Sequence, residues 1–137
     1  LAAGAPNARG VVCPILDARR MQVYCAAFRV SAEGKPERIL EDDARKLTDF
    51  LDMLPKDEEV YFTGDGVQVH EEAICEILGD RAHFAPVHAR ILRASSACFL
   101  AEGRKDEWTK YDRLTPIYLR APQAERERNE RLTRQKV

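Results

Sequence analysis

Glu59-Val60-Tyr61-Phe62-Thr63-Gly64-Asp65-Gly66 is the stretch on which the fold turns. Val60 to Thr63 is short, apolar and rich in β-branched and aromatic residues, the pattern of a buried strand. Gly64-Asp65-Gly66 interrupts it. An amphipathic pattern follows over about 69–78, with Ala73, Ile74, Ile77 and Leu78 on one face and Gly79 to stop the helix. Strand, glycine turn and helix together aim the N–H groups of a first helical turn at the space above the strand end, where a phosphate fits. Gly64, Asp65 and Gly66 are therefore the candidate cofactor-binding residues. The signature is incomplete, because the turn lacks the lysine and length of a Walker loop and is not GxGxxG.

The rest of the composition narrows the function classes. A chain of 137 residues that is 45% hydrophobic and 33% charged has the make-up of one globular domain rather than of a disordered segment. A net charge of −1 sets up no global field that would recruit nucleic acid or a membrane surface. No apolar run approaches a bilayer span. The four cysteines (Cys13, Cys25, Cys75 and Cys98) form no CxxC pair, so reduced thiols in a cytoplasmic protein are expected. The opening Leu1-Ala2-Ala3-Gly4, without an initiator Met, reads as the tail of a preceding element, with residues 1–10 a linker or helix end of a longer protein.

Two apolar runs flank Arg19-Arg20-Met21-Gln22: Val11 to Ala18, which breaks at Asp17, and Val23 to Val30. They make an antiparallel hairpin whose second strand, lacking clean alternation, belongs inside a sheet. Glu33-Gly34-Lys35-Pro36 is a turn cluster, and Arg38 to Glu41 is expected as a short strand near an edge. From Asp43 the period changes. Ala44, Leu47, Phe50, Leu51 and Leu54 recur at helical spacing, with Asp42 or Asp43 to cap and Pro55 to close. After the strand at Val60 and its helix, Ala82 to Ala85 is a short strand. Ile91, Leu92, Ser95, Cys98 and Phe99 then mark a third helix that ends at Gly103. Residues 104–115 are loop-like, and Thr115 to Pro122 is too proline-bounded for a central strand.

Three strands, helix, strand, helix, short strand and helix give an α/β fold, a mixed sheet with helices packed on it. This order resembles the ribonuclease H-like half-domain of the actin, sugar-kinase and heat-shock-protein class (ASKHA). The lobe is expected over 11–122, with a charged, helical tail over 123–137. From Arg120 onward six basic residues stand against three acidic ones.

Few residues stand in patterns that carry chemistry. Asp17 and Asp65 end the first and fourth strands, where a metal or general-base site would need carboxylates. The plainer expectation is that Asp17 fixes the hairpin turn and Asp65 caps the following helix. His70, His83 and His88 lack ligand spacing. No base accompanies the cysteines, and Ser95-Ser96 lie mid-helix. In the tail, Arg126, Arg128, Arg131 and Arg134 could meet RNA phosphates, but Glu127–Arg131 and Glu130–Arg134 are also i,i+4 pairs, and no aromatic offers a stacking platform. The residues alone assign no catalytic set, no metal and no cofactor.

Two stretches go further. Asp17-Ala18-Arg19-Arg20-Met21-Gln22-Val23-Tyr24 resembles the Asp-Ala-Arg segment and following Val-Tyr strand of the bacterial TsaB (YeaZ) family. Tyr111 through Arg126, with Pro116-Ile117-Tyr118-Leu119-Arg120-Ala121-Pro122, is similar to that family's C-terminal signature. The signature residues are thus Asp17, Arg19, Tyr24, Pro116, Tyr118, Leu119 and Arg120. The similarity runs over the whole chain but over only the C-terminal half of such a protein. The Asp-Thr-Ser-Thr strand and the Gly-Pro-Gly-Ser-Phe-Thr-Gly loop of the first half are not in these residues. The resemblance implies a non-catalytic partner in making threonylcarbamoyladenosine beside the tRNA anticodon. It also implies a TsaD-like catalytic subunit and a TsaE-like ATPase as partners, met mainly through the first half, with tRNA contacted indirectly and a homodimer open. The alternatives from other classes are an ATP-binding, phosphotransferase-like half-domain and a tRNA-binding module acting through the basic tail.

Overall fold

The computed structural model describes residues 1–5, 10–30 and 35–119. Its strands are β1 (Val11–Asp17), β2 (Gln22–Val30), β3 (Pro36–Lys46), β4 (Val60–Thr63) and β5 (Ala82–Phe84). They form one sheet in the order β3-β2-β1-β4-β5. β1–β2 and β2–β3 pair antiparallel, and β1–β4 and β4–β5 pair parallel. The helices are α1 (Leu47–Asp52), α2 (Gly66–Leu78) and α3 (Ala94–Glu102). A mixed sheet with helices, as expected from the element order, is what the chain forms.

β1 lies at the centre. Val11, Val12, Cys13 and Ile15 are all buried, so its side chains are covered on both faces, which is why it reads as an almost unbroken apolar run. On one face Val11, Cys13, Ile15, Val23, Cys25, Ala27, Val60 and Phe62 pack with Leu47, Phe50, Leu51 and Leu54 around α1 and with Val67 and Ile74 of α2. The stacked rings of Phe62 and Phe84, 5.8 Å apart, tie β4 to β5. The opposite face carries the short helical turn Ala2–Gly4, with Ala2 buried, which touches β1, β2 and α3.

Several boundaries differ from the sequence reading. The expected short third strand, Arg38 to Glu41, is an eleven-residue strand, Pro36–Lys46. Its first half is a charged outer edge, with Arg38 pairing to Asp42 at 2.9 Å and its guanidinium 4.6 Å above the Phe28 ring. Edge charges of this kind discourage strand-on-strand association. Asp42 and Asp43 therefore lie in β3 and cap nothing, and the helix beginning at Asp43 shrinks to Leu47–Asp52. Six residues do not sustain a helix by themselves. Burial of Leu47, Phe50 and Leu51, worth about 1.5–3 kcal/mol per side chain, holds it in place.

α2 begins three residues earlier than expected, and Val67, His70 and Ile74 are buried on its inner face, with Ala73 and Leu78 packed against the core as expected, while Ile77 is exposed. Gly79 ends it as the C-cap, its N–H bonded to Cys75 O and its backbone at φ 57° and ψ −135°, a conformation glycine enters without a Cβ penalty. α3 starts at Ala94, so Ile91 and Leu92 precede it, and it buries no residue. Residues 104–119 contain only helical turns, and 115–119 form no strand. The expected turn at Glu33-Gly34, Arg120 and the tail over 123–137 lie outside the described residues. Among the described residues no helix is long and apolar enough to cross a membrane.

Candidate functional site

β1 and β4 run parallel in the register Pro14–Thr63, so Asp17, the last residue of β1, and Asp65, two residues past β4, sit at neighbouring strand ends. Between them the Gly64-Asp65-Gly66 turn passes directly over the β1 backbone. A Cβ on Gly64, whose φ is 108°, would collide with the Ile15 carbonyl oxygen, and one on Gly66 would come within 3.0 Å of it. Close backbone approach is what these glycines supply. Asp65 begins α2 but makes no side-chain cap, contrary to expectation. Its Oδ1 instead accepts a 3.3 Å hydrogen bond from the Asp17 N–H. Asp17 does fix its hairpin, since its Oδ1 accepts from the Arg19 N–H at 2.9 Å.

A third residue joins them, although the three histidines share no ligand spacing in the sequence. His70 on α2 is buried, its Nε2 3.5 Å from Asp17 Oδ1 and without a hydrogen bond. The signal was present in the spacing: Val67, His70 and Ile74 occupy one helical face, which makes His70 an inward residue. Among the described residues no group of three or more His, Cys, Asp or Glu is placed to hold a metal ion.

Above this brace stands the β1–β2 hairpin tip. Arg19, Arg20 and Met21 have φ of 62°, 55° and 57°, three consecutive non-glycine residues in the left-handed region. That region costs an L-residue roughly 1–2 kcal/mol each. The tip is held by Ala18 N–H to Gln22 O (2.9 Å), Gln22 N–H to Arg19 O (3.1 Å) and Leu47 N–H to Met21 O (3.0 Å). Met21 is 57% exposed, and the two arginines beside it are exposed as well.

The remaining candidates lie apart. His83 is exposed and pairs with Glu59, His88 is exposed in a helical turn, and Ser95 and Ser96 lie in α3. Cys75 and Cys98 are exposed free thiols. Cys13 and Cys25 are buried, and burial raises both: Cys13 well above the ordinary thiol value, Cys25 to about 11.

On the sheet face opposite α1 and α2 lies a groove of about 440 Å³ lined by Leu16, Tyr24, Phe28, Leu92, Leu100 and Leu119 among others. Tyr24 comes from the hairpin and Leu119 from nearly a hundred positions later, so the groove joins two distant stretches of the chain.

No family model matches the chain. Over 126 residues, 91% of its length, it is 34% identical to the tRNA threonylcarbamoyladenosine biosynthesis protein TsaB of Bacillus subtilis (strain 168). The resemblance to TsaB holds. The chain spans about half the length of that relative, 54%. Of the TsaB-like signature residues, Asp17 and Arg19 stand at the braced tip, and Tyr24 and Leu119 line the groove. Pro116 and Tyr118 are exposed, and Arg120 lies outside the described residues.

Proposed function

We propose that this chain is the C-terminal, non-catalytic lobe of a TsaB-type subunit, part of a cytoplasmic complex that installs threonylcarbamoyl on the adenosine next to the tRNA anticodon. The carrying observation is the 34% identity to TsaB over 91% of the chain. The strand order β3-β2-β1-β4-β5, antiparallel on one side of β1 and parallel on the other, supports a ribonuclease H-like lobe of the ASKHA class over 11–122. The scaffold reading is favoured by how the chemistry-bearing residues are used. Gly64 and Gly66 are packed against Ile15 O rather than opened around a cradle, and both aspartates are engaged by backbone amides.

The partners of this reading are a TsaD-like catalytic subunit and a TsaE-like ATPase. From Pro86 through Leu119 no residue is buried, although Val87, Ile91, Leu92, Trp108 and Ile117 are large and apolar. Such a surface suits a lobe that packs against the rest of a TsaB-length protein.

Co-purification of the full-length protein with a TsaD-like subunit, paired with calorimetry against ATP and Mg²⁺, tests this. Stable association and no nucleotide heat from this protein alone are expected. ATP binding in the absence of any association would favour the phosphotransferase-like alternative and defeat the scaffold.

A further inference from the structure

The hairpin tip combines two features that the scaffold reading leaves unexplained: left-handed strain and unpaired positive charge. Arg19, Arg20 and Met21 hold three successive left-handed conformations without a glycine among them. The strain is sustained from beneath. Asp17 Oδ1 accepts the Arg19 N–H, the Asp17 N–H is bound by Asp65, buried His70 stands against the same carboxylate, and Leu47 N–H bonds Met21 O. Strained backbone kept by such over-determination points to use of what it presents.

What it presents is cationic. Arg19 and Arg20 are exposed and make no ion pair among the described residues. Lys46, which faces Gln22 across the β2–β3 register, is likewise exposed and unpaired. The nearby Arg45, by contrast, is taken by Asp43 at 2.8 Å. Among the described residues, Arg19, Arg20 and Lys46 line neither the groove beside Phe99 nor the one beside Tyr24. Small ligands bind in concavities, whereas a phosphodiester backbone is met by projecting cations. No aromatic belongs to the tip, which excludes base stacking as its mode.

We propose that Arg19 and Arg20, with Lys46 beside them, are a contact for the phosphate backbone of RNA, and that Asp17 and His70 are its positioning residues. That the RNA is tRNA rests on the proposed function; the phosphate contact rests on the tip alone.

The test is fluorescence anisotropy of the full-length protein with an unmodified tRNA transcript between 50 and 200 mM salt. The triple substitution R19A/R20A/K46A is expected to weaken binding about tenfold or more at low salt. It should also flatten the salt dependence by about two to three in the slope of log K against log salt, near one per lost phosphate contact. R19K/R20K should restore much of both. Arg20→Gly serves as the folding control, because it relieves the left-handed strain and should raise Tm while still weakening tRNA binding.

Unchanged affinity and slope in the triple variant overturn the proposal, as does the absence of salt-dependent tRNA binding by the wild-type protein. Displacement of the transcript by millimolar ATP, with ATP binding lost in the triple variant, would make the tip a nucleotide contact and also overturn it. Threonylcarbamoyladenosine in cellular tRNA reads the underlying function separately. If deletion of the gene removes the modification while the triple variant binds normally, only the tip proposal fails. If deletion leaves the modification intact while binding still depends on the tip, the phosphate contact stands and the tRNA-modification reading fails.

Discussion

Asp17 Oδ1 and His70 Nε2 lie 3.5 Å apart across the junction of β1 and α2, the histidine nitrogen buried and making no hydrogen bond. The same carboxylate oxygen already accepts the Arg19 amide. The pair therefore contributes position and packing more than bonding. His70→Leu, which keeps the volume and removes the unpaired nitrogen, should change unfolding free energy by no more than about 1 kcal/mol. His70→Ala should cost about 2–4 kcal/mol by leaving a cavity against β1. Asp17→Ala should cost about 1–2 kcal/mol by freeing the turn amide. Urea denaturation of the three variants checks the order, and a His70→Leu loss as large as that of His70→Ala would mean that the ring nitrogen is bonded after all.

Gly64 and Gly79 both have left-handed φ but different surroundings. A side chain on Gly64 meets the Ile15 carbonyl, whereas one on Gly79 meets nothing within 4 Å. Gly64→Ala should therefore destabilise by about 3 kcal/mol or more, combining strain with collision. Gly79→Ala should cost less, about 1–3 kcal/mol, the conformational share alone, because φ 57° with ψ −135° is open to glycine and disfavoured for alanine. Equal losses in a denaturation series would contradict the close approach at the β4–α2 turn.

At the hairpin tip the sign reverses. Replacing Arg20, at φ 55°, with glycine removes a left-handed penalty and should stabilise by about 0.5–1 kcal/mol after glycine's own entropy is charged against it. For a chain of this size that is a rise of about 2–4 °C in Tm. A lower Tm by calorimetry would show that the arginine side chain makes contacts that outweigh the strain.

The cysteines divide into two accessible and two protected. Cys75 and Cys98 should be alkylated at once in the native protein, and Cys13 and Cys25 only after unfolding. Cys25 is pushed up to about 11, by burial first, with Asp43 and Asp42 adding to it and Arg45 opposing. The native state thus holds this thiol proton more tightly than the unfolded chain does. Its contribution is full below the ordinary thiol value near 8.5–9 and is lost as pH rises through about 11. Urea midpoints should fall across that window, and a Cys25→Ala variant should fall less. A midpoint that held steady from pH 8 to 11 would contradict the burial.

β1, β2 and β4 were legible in the sequence because a strand buried on both faces has few options but apolar residues. The Val60–Thr63 strand and its glycine turn came out as expected, residue for residue. β3 was misjudged at its far end because its second half mimics a helix. Ala44, Leu47 and Phe50 have helical spacing, but Ala44 is held by pairing with Tyr24, and only burial of the side chains from Leu47 onward makes a turn of helix there. The approach of His70 to Asp17 could not be read from spacing, since the two lie 53 positions apart and are joined only when α2 docks on β1. The expected cap at Asp65 failed for a similar reason: a backbone amide from the neighbouring strand took its carboxylate first. The pairing of Tyr24 with Leu119 in one groove likewise exists only in the folded chain.

The scaffold role is tested most sharply by the threonylcarbamoyladenosine content of tRNA from cells depleted of this protein, read by mass spectrometry of nucleosides. A scaffold lobe of the modifying complex predicts that the modified nucleoside falls to a small fraction of the wild-type level and returns when the full-length protein is re-expressed. Undiminished threonylcarbamoyladenosine after depletion would contradict it.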